Sequence, residues 1–184
     1  MNDPINTGNL EILSQEELGR TIVRLTSEIL EQVSDTKKLL LVGIPTRGVQ
    51  LASVLAAHLE EKTGHQIEQG VIDPTFHRDD LVRVGTRLSR STDITSSLEG
   101  RQVVLVDDVI FTGRTVRAAI EAIQAWGRAQ EIMLLVMVDR GHRELPIQPD
   151  FCGRKFTTRR KESIHLRLME VDGEEGVFLS RSSD

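Results

Sequence analysis

The stretch "VVLVDDVIFTGRTV", Val103 to Val116, sets two adjacent carboxylates, Asp107 and Asp108, at the end of an apolar run and follows them with Thr112, Gly113, Arg114 and Thr115. Carboxylates accept hydrogen bonds and repel anions. A Thr-Gly-x-Thr turn that opens a helix does the reverse: it offers backbone N–H groups, two hydroxyls and a helix N-terminus, the ordinary physical means of holding a phosphate. The two halves suit two parts of one ligand, a phosphate on the turn and hydroxyls a few ångströms away that donate to the carboxylates. A ribose 5-phosphate has that layout. The competing reading is that Asp107 and Asp108 only end a strand and cap the next helix. The turn is not a Walker A loop, because Arg114 stands in place of the Lys and Asp108 in place of the upstream Gly.

In an open α/β sheet, ligands sit beyond the carboxyl ends of the strands, so this chemistry needs a strand before the turn and a helix after it. The spacing predicts that helix over "TVRAAIEAIQAWG" and a further buried strand over "EIMLLVMVD". Upstream, "KLLLVGI" reads as a strand buried on both faces, since its apolar residues are continuous rather than alternating. "PTRG" ends it, "VQLASVLAAHLEEKTG" supplies a crossover helix with Gly64 as its stop, and "IEQGVID" is the next strand. An earlier helix is announced by Ser14 and Glu17 at capping-box spacing, with Leu18, Ile22, Leu25, Ile29 and Val33 on one face. Two strand-loop-helix-strand halves predict an α/β fold with an open, mainly parallel twisted sheet flanked by helices. Residues 74–99 are rich in charge, Ser and Thr without periodicity, and loops this long are usually functional or disordered. After Asp139, Pro146 and Pro149 break helix, and "SIHLRLMEV" alternates as a strand at an edge or in a small subdomain.

The totals bound the partners. A chain of 184 residues fits one domain, and 39% hydrophobic with 28% charged residues is a globular composition. A net charge of -5 means that a nucleic-acid partner would have to meet a local basic patch, and 3% aromatics with no Tyr argue against a platform that stacks bases. The lone Cys152 cannot form an intrachain disulfide, the first residues lack a signal-peptide pattern, and no apolar run reaches membrane-spanning length, so a soluble cytoplasmic protein is expected. The five His residues show no metal-ligand spacing.

The stretch "VVLVDDVIFTGRT" resembles the phosphoribosyl-diphosphate (PRPP) signature of type I phosphoribosyltransferases. "LLVGIPTRGVQLA", "DPTFHRDDL" and "VDRGHRELPIQPDFCG" continue the match in order along nearly the whole chain. Together they are similar to the family of bifunctional pyrimidine operon attenuators and uracil phosphoribosyltransferases. The resemblance implies a type I phosphoribosyltransferase fold over 1–184: a core of about 35–140, a hood from the N-terminal segment and about 141–184, and a flexible active-site loop at about 74–99. It implies transfer of the phosphoribosyl group of PRPP to uracil, giving UMP and diphosphate. Asp107 and Asp108 would take the ribose hydroxyls, Thr112, Gly113, Arg114 and Thr115 would hold the 5′-phosphate, and Val109, Ile110 and Phe111 between them would complete the PRPP-binding set. "PTRG" resembles the diphosphate loop, with Thr46, Arg47 and Gly48 meeting the leaving group through N–H groups and a guanidinium; Arg47, Asp107 and Asp108 are then the catalytic set. Mg²⁺ would arrive with PRPP, held mainly by substrate and water and by no dedicated protein cage. Arg78, Asp79 and Asp80 would open the flexible loop, and Asp139 and Arg140 would begin the hood that receives the base. Without the resemblance, "TRG" is also an ordinary surface turn and "RDD" an ordinary charged one.

The same resemblance implies binding of a stem-loop in pyrimidine-operon messenger RNA, favoured by UMP, and assembly into dimers or larger homo-oligomers. His142 and Arg143 fall where the family contacts RNA, and Arg154, Lys155, Arg159, Arg160 and Lys161 add positive charge that could meet phosphates or simply face water. Val23 and Ser27 stand where RNA-binding members tend to carry Thr and His, which removes donors. Two other functions stay open from the sequence: an RNA-binding regulator that uses PRPP or UMP only as effectors, and a phosphoribosyltransferase for purine bases.

Overall fold

The computed structural model describes residues 9–79 and 92–181; Asp80 and the rest of 80–91 in the expected flexible loop lie outside the described residues. The chain runs through β1 (Leu10–Leu13), α1 (Gln15–Gln32), β2 (Leu39–Gly43), α2 (Arg47–Thr63), β3 (Glu68–Val71), β4 (Gln102–Ile110), α3 (Arg114–Gln124), β5 (Glu131–Asp139), β6 (Phe151–Lys155), β7 (Glu162–Arg167), the short α4 (Met169–Asp172) and β8 (Gly176–Arg181). Among the described residues, no helix is long and apolar enough to cross a membrane.

Five strands form one sheet in the order β3-β2-β4-β5-β6, and every pairing in it is parallel. Strand residues point alternately to the two faces, and the burial follows that rule. Leu39, Leu41, Val104, Val106, Met133, Leu135 and Met137 pack with α1 and α2, whereas Leu40, Val42, Val103, Leu105, Leu134 and Val136 pack with Val116, Ala119 and Ile123 of α3. Both faces are therefore covered, which is why these strands read as continuous apolar runs. At α1 the Ser14–Glu17 capping box is present, and Leu18, Ile22, Leu25, Ile29 and Val33 are all buried.

A second sheet, β1-β8-β7, is antiparallel and joins the two ends of the chain. Its Leu13, Leu166 and Val177 share the α1–α2 core, so this hood is fixed to the sheet by the same burial that stabilises the helices, about 1.5–3 kcal/mol for each large apolar side chain. The structure departs from the sequence reading twice here. "SIHLRLMEV" is not one strand: it stops at Arg167, and Met169–Asp172 turns into α4 with Gly173 closing it in a left-handed conformation. β6, which gives little strand signal beside Pro149 and Gly153, joins the parallel sheet beside β5 instead of entering the hood.

Candidate active site

β2 and β4 are neighbours in register, Gly43 opposite Val106, so the loops that leave their carboxyl ends lie side by side. Between those ends and the hood lies a cleft of about 460 Å³. Pro45, Thr46, Arg47, Asp107, Asp108, Val109, Thr115 and Arg140 line one side, and Ser163, Ile164 and His165 of β7 close the other. A second cleft, about 220 Å³, continues from Asp107, Val109 and Thr115 over Ile110, Phe111, Thr112, Gly113 and Val116 to Arg78.

The acidic pair belongs to β4 itself. Asp107 Oδ1 accepts the Asp108 N–H and Asp108 Oδ1 accepts the Val109 N–H, both at 2.9 Å, which turns each carboxylate onto the next peptide. Asp107 is only 6% exposed. Burial, reinforced by the neighbouring Asp108 charge, pushes its carboxyl well above the usual carboxylate range, and the Arg78 guanidinium partly opposes the rise. A buried carboxylate of this kind gains from donors supplied by a ligand.

The Thr-Gly-x-Thr turn follows directly. Gly113 has φ 90°, a left-handed conformation that favours glycine, whereas a Cβ there would meet Ile147 and Leu145 only at ordinary contact distance. Gly113 has no side chain with which to cap the α3 N-terminus; Thr112 Oγ1 accepts the Arg114 N–H at 3.3 Å, and the next first-turn residues, Thr115 and Val116, line the smaller cleft. That combination presents helix-terminal N–H groups to an anion. Arg114 contributes its place in the loop rather than its charge: its guanidinium turns away to Asp79 (2.6 Å) and Glu144 (2.9 Å). The cation that does reach this cleft is Arg78, whose Nη1 donates to Thr115 Oγ1 at 2.7 Å.

On the β2 side the Pro45–Thr46 peptide is cis, and Thr46 and Arg47 line the larger cleft. Gly48 does not. It is buried, and a Cβ would stand 2.3 Å from the Val106 carbonyl oxygen, so the absence of a side chain lets α2 press against β4. The Arg47 guanidinium is held by Asp172 of α4.

In the hood, Arg140 lies 4.1 Å above the Phe111 ring, and its Nε donates to Thr158 Oγ1 at 3.1 Å. Burial lowers its basicity from the ordinary guanidinium value, with Glu162 opposing. Asp139 does not line the cleft: its Oδ1 accepts the Gly141 N–H at 2.9 Å and its Oδ2 pairs with Arg143 at 2.8 Å. The residues missed by sequence reasoning are Ser163, Ile164, His165 and Asp172. The alternation of "SIHLR" signals a strand, but nothing local says which cleft that strand faces.

The residues expected at RNA divide. His142 bonds the Thr158 carbonyl through Nε2 at 2.7 Å. Arg143, 13% exposed, donates to the carbonyls of Ile147 and Phe111 at 2.9 Å, so both side chains serve the hood's interior. Arg154, Lys155, Arg159, Arg160 and Lys161 are exposed, with Arg160 paired to Glu144. Arg20, Arg24 and Arg154 line a groove of about 370 Å³ between α1 and β6. On the same helix Val23 is 45% exposed, and the Ser27 hydroxyl is spent on the Val23 carbonyl at 3.1 Å.

Comparison with known proteins agrees with this geometry. A profile of the phosphoribosyl transferase domain matches residues 8–158. Proteins named bifunctional protein PyrR are similar over most of the chain. That of Microcystis aeruginosa is 51% identical over 170 residues, covering 92% of this chain and 96% of its own. That of Pelotomaculum thermopropionicum is 44% identical over 175 residues, covering 95% and 97%. Among solved structures, a hypoxanthine phosphoribosyltransferase from Staphylococcus aureus superposes with a TM-score of 0.70 at 15% identity, covering 100% of this chain and 98% of that one, a likeness of fold alone. With a site that pairs carboxylates and an anion loop at the carboxyl end of β4, and half-identical relatives along nearly its whole length, the chain belongs to the phosphoribosyltransferase family and, within it, to the bifunctional PyrR proteins.

Proposed function

We propose that the chain transfers the phosphoribosyl group of PRPP to N1 of uracil, giving UMP and diphosphate, and that it also binds a stem-loop of pyrimidine-operon mRNA in response to UMP. The observation that carries the enzymatic reading is the continuity of the two clefts: Asp107 and Thr115 belong to both, so one ligand can set hydroxyls on the acidic pair and a phosphate on the α3 N-terminus. In that pose C1′ faces Arg47 and Thr46, where diphosphate departs, and the hood side of Arg140 and Ser163–His165, where the base enters. The bond from C1′ to diphosphate oxygen breaks as the bond to uracil N1 forms, and the N1 proton is lost. The intervening charge is oxocarbenium-like, so fixed groups and exclusion of water matter more than a nucleophile.

Mg²⁺ would neutralise the diphosphate. The Asp107–Asp108 pair offers carboxylate oxygens at the ribose end, the hard donors that such an ion would take beside substrate and water oxygens. Asp139, Gly48 and the Arg114 side chain support the site from behind in this reading; Arg78 joins it. A test is calorimetric titration with PRPP–Mg²⁺ and with UMP. Wild type should bind both, and the Asp107→Asn, Asp108→Asn double variant neither; equal binding by the two would remove the ribose role.

The regulatory half draws support from what backs the phosphate loop. Glu144 N–H donates to the Thr112 carbonyl at 2.9 Å, and Arg143 Nη1 donates to that of Phe111 at 2.9 Å, so the loop's ligand state is felt by the segment leading to the exposed basic residues. Binding of an operon stem-loop should tighten with UMP and lose affinity with rising salt. RNA binding without any uracil-dependent turnover would favour the reading in which PRPP and UMP act only as effectors. A cytoplasmic location and a dimer or larger homo-oligomer belong to the same proposal, the latter checked by light scattering.

A further inference from the structure

We infer that Asp172 is a positioning residue for the diphosphate end of the substrate, acting through Arg47; this rests on the reading of Arg47 as a diphosphate contact. Arg47 opens α2 and lines both the large cleft and a smaller one of about 240 Å³ shared with Asp108, His165 and Asp172. A guanidinium on a flexible stem at such a place has many rotamers, and binding would have to freeze them. The structure does so beforehand. Asp172 Oδ1 accepts from Arg47 Nη2, and the pair is largely withdrawn from water, with the side chains 25% and 16% exposed.

The carboxylate is itself fixed. Its Oδ2 accepts the Leu168 N–H at 2.9 Å while the Asp172 N–H returns to the Leu168 carbonyl at 2.9 Å, so the α4 turn is locked from both ends. Arg167, which lines the same small cleft, is paired with Glu174 and lies 4.7 Å over the Phe178 ring, while Asp172 pairs with Arg47. Among the described residues, Asp172 is the one carboxylate paired with Arg47, and it uses only Nη2. The remaining N–H groups of the fork stay available to an anion, so Asp172 and diphosphate can hold the guanidinium together. Asp172 lies in α4, between β7 and β8, and Arg47 at the start of α2, so the pair also joins the wall facing the base to the loop facing the leaving group.

The test is a cycle of Arg47→Ala, Asp172→Asn and the double variant, with Asp172→Glu as the conservative change. It is read by calorimetry with magnesium diphosphate and by KM for PRPP and for uracil. Asp172→Asn should weaken diphosphate binding and raise KM for PRPP about tenfold, with KM for uracil and the melting temperature little changed. Asp172→Glu should recover part of the loss, and Asp172→Asn should add nothing once Arg47 is Ala. If Arg47→Ala weakens diphosphate binding but Asp172→Asn does not, or if Asp172→Asn costs as much in the Arg47→Ala background, the positioning role is wrong. If Arg47→Ala itself binds diphosphate like wild type, the assignment of Arg47 fails and the inference falls with it.

Discussion

The parallel sheet and the hood reach the same cleft by opposite means. The sheet delivers its chemistry in unbroken runs of sequence: β4, the acidic pair, the loop and α3 follow one another within residues 102–124. The hood delivers Ser163, Ile164 and His165 from a strand whose place depends on β8 and, through it, on β1 at the far end of the chain. In the first region the reacting groups and the elements that aim them are coded together. In the second, identity is local but aim is set by long-range pairing. Substitutions on the sheet side should therefore abolish the reaction, while those on the hood side should tune the base and substrate affinity.

The sharpest way to break that contrast is at the acidic pair. Replacing Asp107 and Asp108 by Asn should lower turnover by about a thousandfold or more while the fold persists. Asp107→Asn alone should in addition raise the melting temperature. A carboxyl whose folded-state pKa is raised binds its proton more tightly when folded, so wild-type stability is greatest while it is protonated and declines as pH rises through that pKa. The stabilising effect of Asn should vanish in acid, where both side chains are neutral, and grow toward neutral pH. For the same reason the acid limb of kcat/KM should lie above the ordinary carboxylate range, and a limb at the usual Asp value would contradict the burial argument.

Next in size is Gly48→Ala. The new Cβ meets backbone at 2.3 Å, which only a shift of α2 can relieve, so about 2 kcal/mol of stability should be lost, read by denaturant titration. Arg47 and Thr46 should move with the helix. On the hood side, Arg140→Met removes the cation over Phe111 and the bond to Thr158 and should raise KM for uracil about tenfold with a smaller change for PRPP. His165→Gln, at an exposed position whose Nε2 meets Ser180 Oγ at 3.0 Å, should change either constant by no more than about threefold. A hood variant that abolished turnover with the fold intact would erase the distinction between the two regions.

The same contrast explains what could be read in the chain. The strands and helices of the sheet region were legible because burial on both faces writes continuous apolar runs, and because Gly113 and Gly64 mark turns that need positive φ. The acidic pair and the Thr-Gly-x-Thr turn stand out because they are adjacent in one unbroken run, and the structure sets both on adjoining clefts. Arg78 was assigned to the flexible loop, and its reach to Thr115, 37 residues onward, is visible only in three dimensions. Gly48 is read in the sequence as a backbone donor to diphosphate, and the constraint set by the Val106 carbonyl on another strand is visible only in three dimensions. His142 and Arg143 are named for RNA by resemblance alone, and their hydrogen bonds to the Thr158, Ile147 and Phe111 carbonyls are visible only in three dimensions. β6 is hard to read because an edge strand that follows Pro149 and carries Gly153 at its centre has little pattern of its own.

The most direct measurement is uracil-dependent release of diphosphate from PRPP with Mg²⁺, run beside hypoxanthine and guanine as acceptors. Turnover with uracil alone, abolished by Asp107→Asn with Asp108→Asn, is the expected result. Turnover with a purine, or none with any base while PRPP binds, would contradict it.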